Sequence, residues 1–373
     1  MQEKQYPFYL KATIILFGLV LFTYVLVNLG DILVPLAFAF IIAMLLNPLV
    51  NRFEKWKIPR MLGIGFALLL ALLVVGGILF FLSSQIAGLS ENLPLLKERF
   101  NSILKDLQTW LQSTFGISTE KQMELLNEGM NSSKALIGST LNTAIGTVGV
   151  VLLLPVYVFL LLYYKNLMLN FLYTVFAESS SEKVGEILGQ TKIAIQSYMV
   201  GLLFEASIVA VLNSTALLII GVKYAILLGV LGALLNLLPY IGGLIAIILP
   251  VLMATVTNEG YSMQLYIIIA YIVIQFIDNN ILVPRIVSSK VQINALISIL
   301  AVLLGGALWG VAGMFLSIPF VAILKIIFDR IDGMRPWGQL LGDEVPTAPN
   351  KFVFRKIKKK SVAEKVVEGS VKR

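Results

Sequence analysis

Residues 234–247 read LLNLLPYIGGLIAI and residues 303–319 read LLGGALWGVAGMFLSIP, and these two stretches decide the fold. Each lies inside a longer apolar run, 227–256 and 294–326, and each breaks that run with a Gly/Pro cluster. At membrane depth a broken helix frees backbone N–H and C=O groups that lipid cannot satisfy. Such breaks persist where protein encloses a cavity, so they point to a transport site. The expected fold is an all-α polytopic membrane protein of about eight membrane segments, each long enough for a hydrocarbon core. Two of those segments are Gly/Pro-broken helical hairpins.

Composition supports the membrane placement. The chain is 58% hydrophobic and 13% charged, against about 25% charged in soluble domains. It holds no cysteine and no histidine. That excludes disulfides, Cys/His zinc sites, haem ligation and a Ser–His–Asp triad. No Walker sequence follows any glycine cluster. No cofactor and no metal are expected, and no enzyme activity. The first apolar run is too long for a signal peptide and has no small-residue cleavage site, so it is read as a retained helix.

Loop charge orients the spans. The first, 11–28, ends in the uncharged-to-acidic turn Asn28-Leu29-Gly30-Asp31, and the second, 32–49, runs into a loop carrying Arg52, Lys55, Lys57 and Arg60. That loop reads as cytoplasmic, and so does the N-terminus with Lys4 and Lys11. The third span covers 61–86. Residues 88–140 form an extracytoplasmic insertion in which Leu93, Leu96, Phe100, Ile103, Leu107 and Trp110 recur at helical spacing. An amphipathic helix packed on the membrane surface or on its own bundle is the plainer reading. A gate or an oligomer contact is the other.

The fourth span, 141–164, returns to the cytoplasm at Lys165. Ser179-Ser180-Ser181-Glu182 reads as a capping box that opens a cytoplasmic helix, and the fifth span follows at 193–220. The first broken segment enters from outside, the next span covers 263–282, and Pro284, Arg285 and Lys290 lie inside. The second broken segment enters from inside. Two opposed hairpins that meet near the midplane, or four arms that each cross, both fit this charge pattern. The expected units are 1–87, 88–140, 141–192, a transport core at 193–330 and a basic cytoplasmic tail at 331–373. Arg355, Lys356, Lys358, Lys359 and Lys360 in the tail, beyond Pro336, Pro346 and Pro349, read as a disordered segment obeying the positive-inside rule. Anionic headgroups are the other partner they could hold.

Two acids fall within spans, Glu205 and Asp278, and intramembrane acids are costly and mark function. Gln275, Asp278 and Asn279 share one helix face, with Asn280 beside them. A carboxylate among amides suits a cation, a proton or a polyhydroxylated solute; a cluster gluing helices is the structural alternative. Glu205 continues a small-residue stripe from Ser197 and Gly201, and Lys223 or Arg285 could pair with it. Asn236, Pro239, Tyr240, Gly242 and Gly243 surround the first break. Gly305, Gly306, Gly310 and Gly313 surround the second, where Pro319 is expected to break or kink the returning helix. With Asn294, these residues are read as substrate and gate positions.

These motifs resemble the autoinducer-2 exporter family of bacterial permeases. The resemblance rests on GVKYAILLGVLGALLNLLPYIGG at 221–243, QFIDNNILVPRIV at 275–287, and LLGGALWGVAGMFLSIP at 303–319. The N-terminal half matches in layout. The resemblance implies eight spans and export of a furanone-type quorum signal, with sodium or lithium/proton antiport in some members. Where the family motif carries Glu, this chain carries Asp278, which keeps the charge and shortens the reach.

The expected function is therefore secondary transport of a small polar solute, with cation/proton antiport as the alternative and a non-transporting membrane scaffold as the reading from another class. Expected partners are the lipid bilayer, the solute, a monovalent cation or proton, and further copies of the chain as a homo-oligomer, with no nucleic acid. The expected location is the bacterial cytoplasmic (inner) membrane, with both termini in the cytoplasm.

Overall fold

A computed structural model of the chain describes residues 7–91, 93–116, 118, 121–123, 152–176, 181–238, 242–258, 260–287 and 292–343. Among them the regular structure is entirely helical. The chain is an all-α polytopic membrane protein. α1 (Phe8–Asn28), α2 (Gly30–Lys55) and α3 (Arg60–Glu91) precede the amphipathic α4 (Leu93–Phe115). α5 (Leu152–Tyr163) and α6 (Lys165–Val175) meet at a bend of 59°. α7 (Ser181–Ile220), α8 (Ala225–Asn236), α9 (Gly242–Thr257) and α10 (Ser262–Ile277) follow. A π-helix over Asp278–Val287 extends α10, and α11 (Ala295–Arg330) and α12 (Arg335–Leu341) end the described chain.

Six helical stretches among the described residues are long and apolar enough to cross a membrane, and seven if the bent α5–α6 pair is one span; α11 counts as one of them although it folds back at Trp309–Gly310. α1 buries none of its residues, and the outer faces of α3 are apolar and exposed. Such faces are stable against lipid and not against water. α8, with 12 residues, is about 18 Å long, short of a core about 30 Å thick.

The expected cytoplasmic helical segment and the fifth span at 193–220 are continuous in the structure, because Ser181–Ile220 is one 40-residue helix. No proline interrupts it, and isolated glycines lower helix stability by only about 1 kcal/mol each.

Two helical hairpins are present among the described residues, α8–α9 and the folded α11. In the first, Gly242 lies against the Leu235 carbonyl and a Cβ on Gly232 would stand 3.5 Å from Ala246 Cβ, so α8 and α9 run antiparallel. Its base is tied by Tyr224, whose hydroxyl donates to the Gly88 carbonyl at the end of α3. α11 is the second hairpin. Its backbone leaves the helix at Trp309 and at Gly310, whose φ of 59° suits glycine. Gly305 and Gly313 then meet backbone to backbone across the arms.

The tip of this second hairpin does not stop near the depth of the acids. Trp309 Nε1 donates to the Leu26 carbonyl at 2.9 Å, and a Cβ on Gly30 would lie 3.3 Å from the indole. The tip thus reaches the α1–α2 turn at the far face. The helix also stays regular through Pro319, contrary to the expected break there; the irregular residues are Trp309 and Gly310.

At the opposite, base-rich face, Lys165 Nζ donates to Asn47 Oδ1 at 3.0 Å and Arg60 to the Leu162 carbonyl at 2.7 Å. Three apolar clusters hold the fold: one across α2, α3 and α5, one across α2, α7, the π-helix and α11, and one within α7–α10.

Candidate functional site

Glu205 on α7 is 4% exposed and Asp278, the first π-helical residue, is 2% exposed. They sit at matching depth. Asp278 is 16 residues from the start of α10 and Glu205 is 15 from the end of α7, about 24 Å and 22 Å along their axes.

Asn236, the last residue of α8, stands between them. Its Nδ2 donates to Asp278 Oδ2 at 2.8 Å and reaches Glu205 Oε1 at 3.5 Å. An amide carries two donor hydrogens, one for each carboxyl group. Gln275 Nε2 donates to Asp278 Oδ2 at 3.4 Å and to Asn279 Oδ1 at 3.2 Å. Asp278 Oδ1 is buried and accepts from no N–H or O–H donor, and the two carboxyl groups lie within hydrogen-bond reach of each other.

Local sequence explains the convergence. Gly201, one turn before Glu205, lets the π-helix approach so closely that a Cβ there would lie 2.5 Å from the Ile286 carbonyl oxygen. Gly243 makes room for Gln275, whose Oε1 occupies the place a Cβ would take. The change from α to π begins at the charged residue itself; π-segments are rare and concentrate at functional sites. α8 closes with tight turns, Leu237 N–H to Leu234 C=O at 3.3 Å and Leu238 N–H to Leu235 C=O at 3.0 Å. The negative end of α8 and the positive end of α9 thus lie at one corner. Half-helix ends of this kind offer carbonyls to cations and N–H groups to anions.

The cluster opens into a cavity of about 700 Å³ walled by Tyr198, Leu202, Tyr271, Ile272, Val283 and Ile318. That size lies within the range of small-molecule sites, about 300–1,000 Å³. A second cavity, of about 720 Å³, lies between α7 and α11 toward the base-rich face. Lys183, Glu186, Lys325, Asp329, Arg330 and Arg335 line it. Its charges are partly paired: Arg330–Glu186 at 3.1 Å and Lys325–Asp329 at 2.7 Å.

Glu205, Asn236, Gln275, Asp278 and Asn279 come together, with Gly242 and Gly243 at the same hairpin tip. Neither Lys223 nor Arg285 forms an ion pair with Glu205 among the described residues; Asn236 faces it instead. Asn280 is exposed and donates to the Phe276 carbonyl, outside the cluster. Asn294 caps α11: Oδ1 accepts from Ile297 N–H at 2.8 Å, and Nδ2 donates to the Leu340 carbonyl at 2.7 Å. Gly305, Gly306, Gly310 and Gly313 sit at the far hairpin, where Gly305 and Gly313 lock its arms together. Pro284 and Arg285 are exposed and Pro319 is buried in α11.

Pro239 and Tyr240 lie outside the described residues, as do the capping residues Ser179 and Ser180, the start of the fourth span, Lys290 and the basic tail. Sequence reasoning missed Tyr198, Tyr271 and Asn213. The signal for Tyr271 was present, because it precedes Asp278 by two turns on the buried face of α10.

Comparison with known proteins gives one family. Residues 13–333 match the model described as AI-2E family transporter. The chain is 28% identical over 319 residues to the AI-2 transport protein TqsA of Escherichia coli (strain K12), covering 84% of this chain and 90% of that protein. It is 26% identical over 322 residues to the putative transport protein YueF of Bacillus subtilis (strain 168), covering 82% and 86%. The putative transport protein YrrI of the same organism is 26% identical over 318 residues, covering 82% and 88%.

Proposed function

The chain belongs to the AI-2E transporter family, and on that premise we propose that it is an ion-coupled secondary exporter of a small polar solute in the bacterial cytoplasmic membrane. Its N-terminus and tail lie in the cytoplasm. The observation that carries this reading is the amide-bridged pair, Glu205 and Asp278, buried between two helices and a hairpin tip. Two carboxylates held this close and out of water are a strong attractor for a compensating cation or proton. Asp278 Oδ1 offers the open ligand position.

Binding and release of that ion would reset the hydrogen bonds of Asn236 and so move the α8–α9 tip against α7 and α10. The cavity beside the pair would take the solute, whose class follows TqsA, named for AI-2 transport. The charged second cavity would be its cytoplasmic vestibule. The basic residues of the α2–α3 loop, Arg52, Lys55, Lys57 and Arg60, support that orientation. The short α8–α9 hairpin would be re-entrant, with its tip enclosed by protein.

A second reading keeps the same pair and drops the solute: a monovalent cation/proton antiporter. Two carboxylates and one amide make a complete small-ion site, which favours it. Flux in proteoliposomes separates the two readings. Vesicles holding an internal pH dye are given sodium, lithium or potassium gradients, or an AI-2-type furanone inside. Solute efflux that follows a cation or proton gradient supports the exporter, and proton movement without solute supports the antiporter. In either case Asp278→Asn removes the signal while the purified variant stays folded. Full flux in Asp278→Asn defeats both.

A further inference from the structure

The buried face of α10 repeats every seven residues: Gln264, Ile267, Tyr271, Ile274 and Asp278 are its buried positions. Isoleucine holds one register of this seam, and a polar side chain holds the other three times. Each of those polar residues keeps one buried oxygen without a hydrogen-bond partner: Gln264 Oε1, Tyr271 Oη and Asp278 Oδ1. A polar seam that only glues helices pairs its groups across the interface.

Facing helices complete each level. Beside Tyr271 stands Asn213 of α7, 2% exposed and with Oδ1 also unpartnered. Gly232 of α8 brings the two together, since a Cβ there would lie 3.3 Å from both Asn213 Nδ2 and Tyr271 Oη. Beside Gln264 stands Thr255, whose Oγ1 accepts from Gln264 Nε2 at 3.3 Å. The levels are about 10 Å apart along the axis. They run from the end of α10 near Ser262 down to the carboxylate pair.

We infer that this seam is the route by which a monovalent cation, with part of its water, passes between the outer face and Glu205–Asp278, with Tyr271 and Asn213 forming an intermediate seat. The ligand class follows from the donors. All four unpartnered atoms are oxygens, no basic side chain among the described residues lies at these levels, and the ladder ends on two acids, so its field draws cations inward. Oxygen rings that replace part of a hydration shell are the general device for such passage. The inference rests on the carboxylate pair being the ion site.

The test compares the full-length protein with Tyr271→Phe, Asn213→Ala and Asp278→Asn in proteoliposomes under sodium, lithium and potassium gradients, with thermal unfolding of each purified variant. An unpartnered buried hydroxyl contributes nothing to folding, so Tyr271→Phe keeps or raises the melting temperature. Its half-saturating cation concentration rises by at least about tenfold, the loss of one oxygen ligand. Unchanged half-saturation in Tyr271→Phe and Asn213→Ala, while Asp278→Asn abolishes flux, overturns the route and leaves the pair standing. A fall in flux that only tracks a fall in stability also overturns it. Full flux in Asp278→Asn, or a parent protein that moves none of the three cations, overturns the ion site and the route with it.

Discussion

Gly201→Ala puts the geometry of the carboxylate pair to a severe test. The new Cβ would lie 2.5 Å from the Ile286 carbonyl oxygen, 3.2 Å from its carbon and 3.3 Å from Val287 Cα. All three are backbone atoms, so no side chain can swing away. Ordinary contact begins at 3.4 Å, and α7 must therefore move off the π-helix by about 0.9 Å, an overpacking that costs about 1–3 kcal/mol. Better helix propensity returns about 1 kcal/mol, leaving a net loss of about 0–2 kcal/mol in stability. Function should suffer more. The Asn236 contact to Glu205 is already 3.5 Å long, and a further shift of that size breaks it. A hydrogen bond to a charged group is worth about 1.5–3 kcal/mol, or roughly 10- to 150-fold in affinity. The assay is the half-saturating cation concentration in proteoliposomes, with thermal unfolding alongside. Gly76→Ala on α3 is the control, since nothing lies within 4 Å of its added Cβ. If Gly201→Ala is indistinguishable from Gly76→Ala in flux, the two acids do not act through their spacing.

Two further outcomes follow from the base-rich face. Asn294→Ala removes the α11 cap and the clasp to Leu340, costing about 1–2 kcal/mol in thermal unfolding, while the cation half-saturation stays at the parent value; a change there would return Asn294 to the binding site. Asp332 is held below the usual carboxylate range by the hydrogen bond from Lys183 and by the charges of Lys183 and Arg335. A depressed native value means that this tether acts above the unfolded value of about 3.9 and is lost as pH falls through the native one. Hydrogen exchange in α12, corrected for intrinsic rates, should therefore rise below about pH 4, and Lys183→Ala should flatten that rise.

The sequence made the two breaks, the intramembrane acids and the amphipathic α4 legible, because hydropathy, glycine and proline act locally. It placed Gln275, Asp278 and Asn279 on one face for the same reason. It could not say which helix that face meets. Glu205 was open to Lys223 or Arg285, and the structure gives it Asn236 instead, a partner 31 residues away on the next helix. Nor could it tell a capping asparagine from a binding one. Asn280 and Asn294 satisfy backbone groups of their own segments or of α12, a choice that depends on φ/ψ and on who lies beside them.

The two broken hairpins look alike as sequence and differ in what their glycines do. In α11 the glycines face each other: Gly305 meets Gly313, and a Cβ on Gly306 would stand 2.7 Å from Met314 Cε. Its two arms therefore close on themselves, and its tip is fixed by the Trp309 hydrogen bond to Leu26. Such a hairpin resists motion relative to α1 and α2. In α8–α9 the glycines also face outward, Gly229 against Ser214 of α7 and Gly243 against Gln275 of α10. Glycine surfaces make contact without interlocking side chains, so sliding over them breaks little packing. Polar contacts then hold the α8–α9 tip in place, chief among them the Asn236 bonds to Asp278 and Glu205. On the proposed function an ion between the acids would reset those bonds and leave the Trp309 bond as it is. The same glycine-rich break therefore closes on itself in one hairpin, and in the other it leaves a tip held by polar contacts to the carboxylate pair, where an ion-sensitive element is proposed.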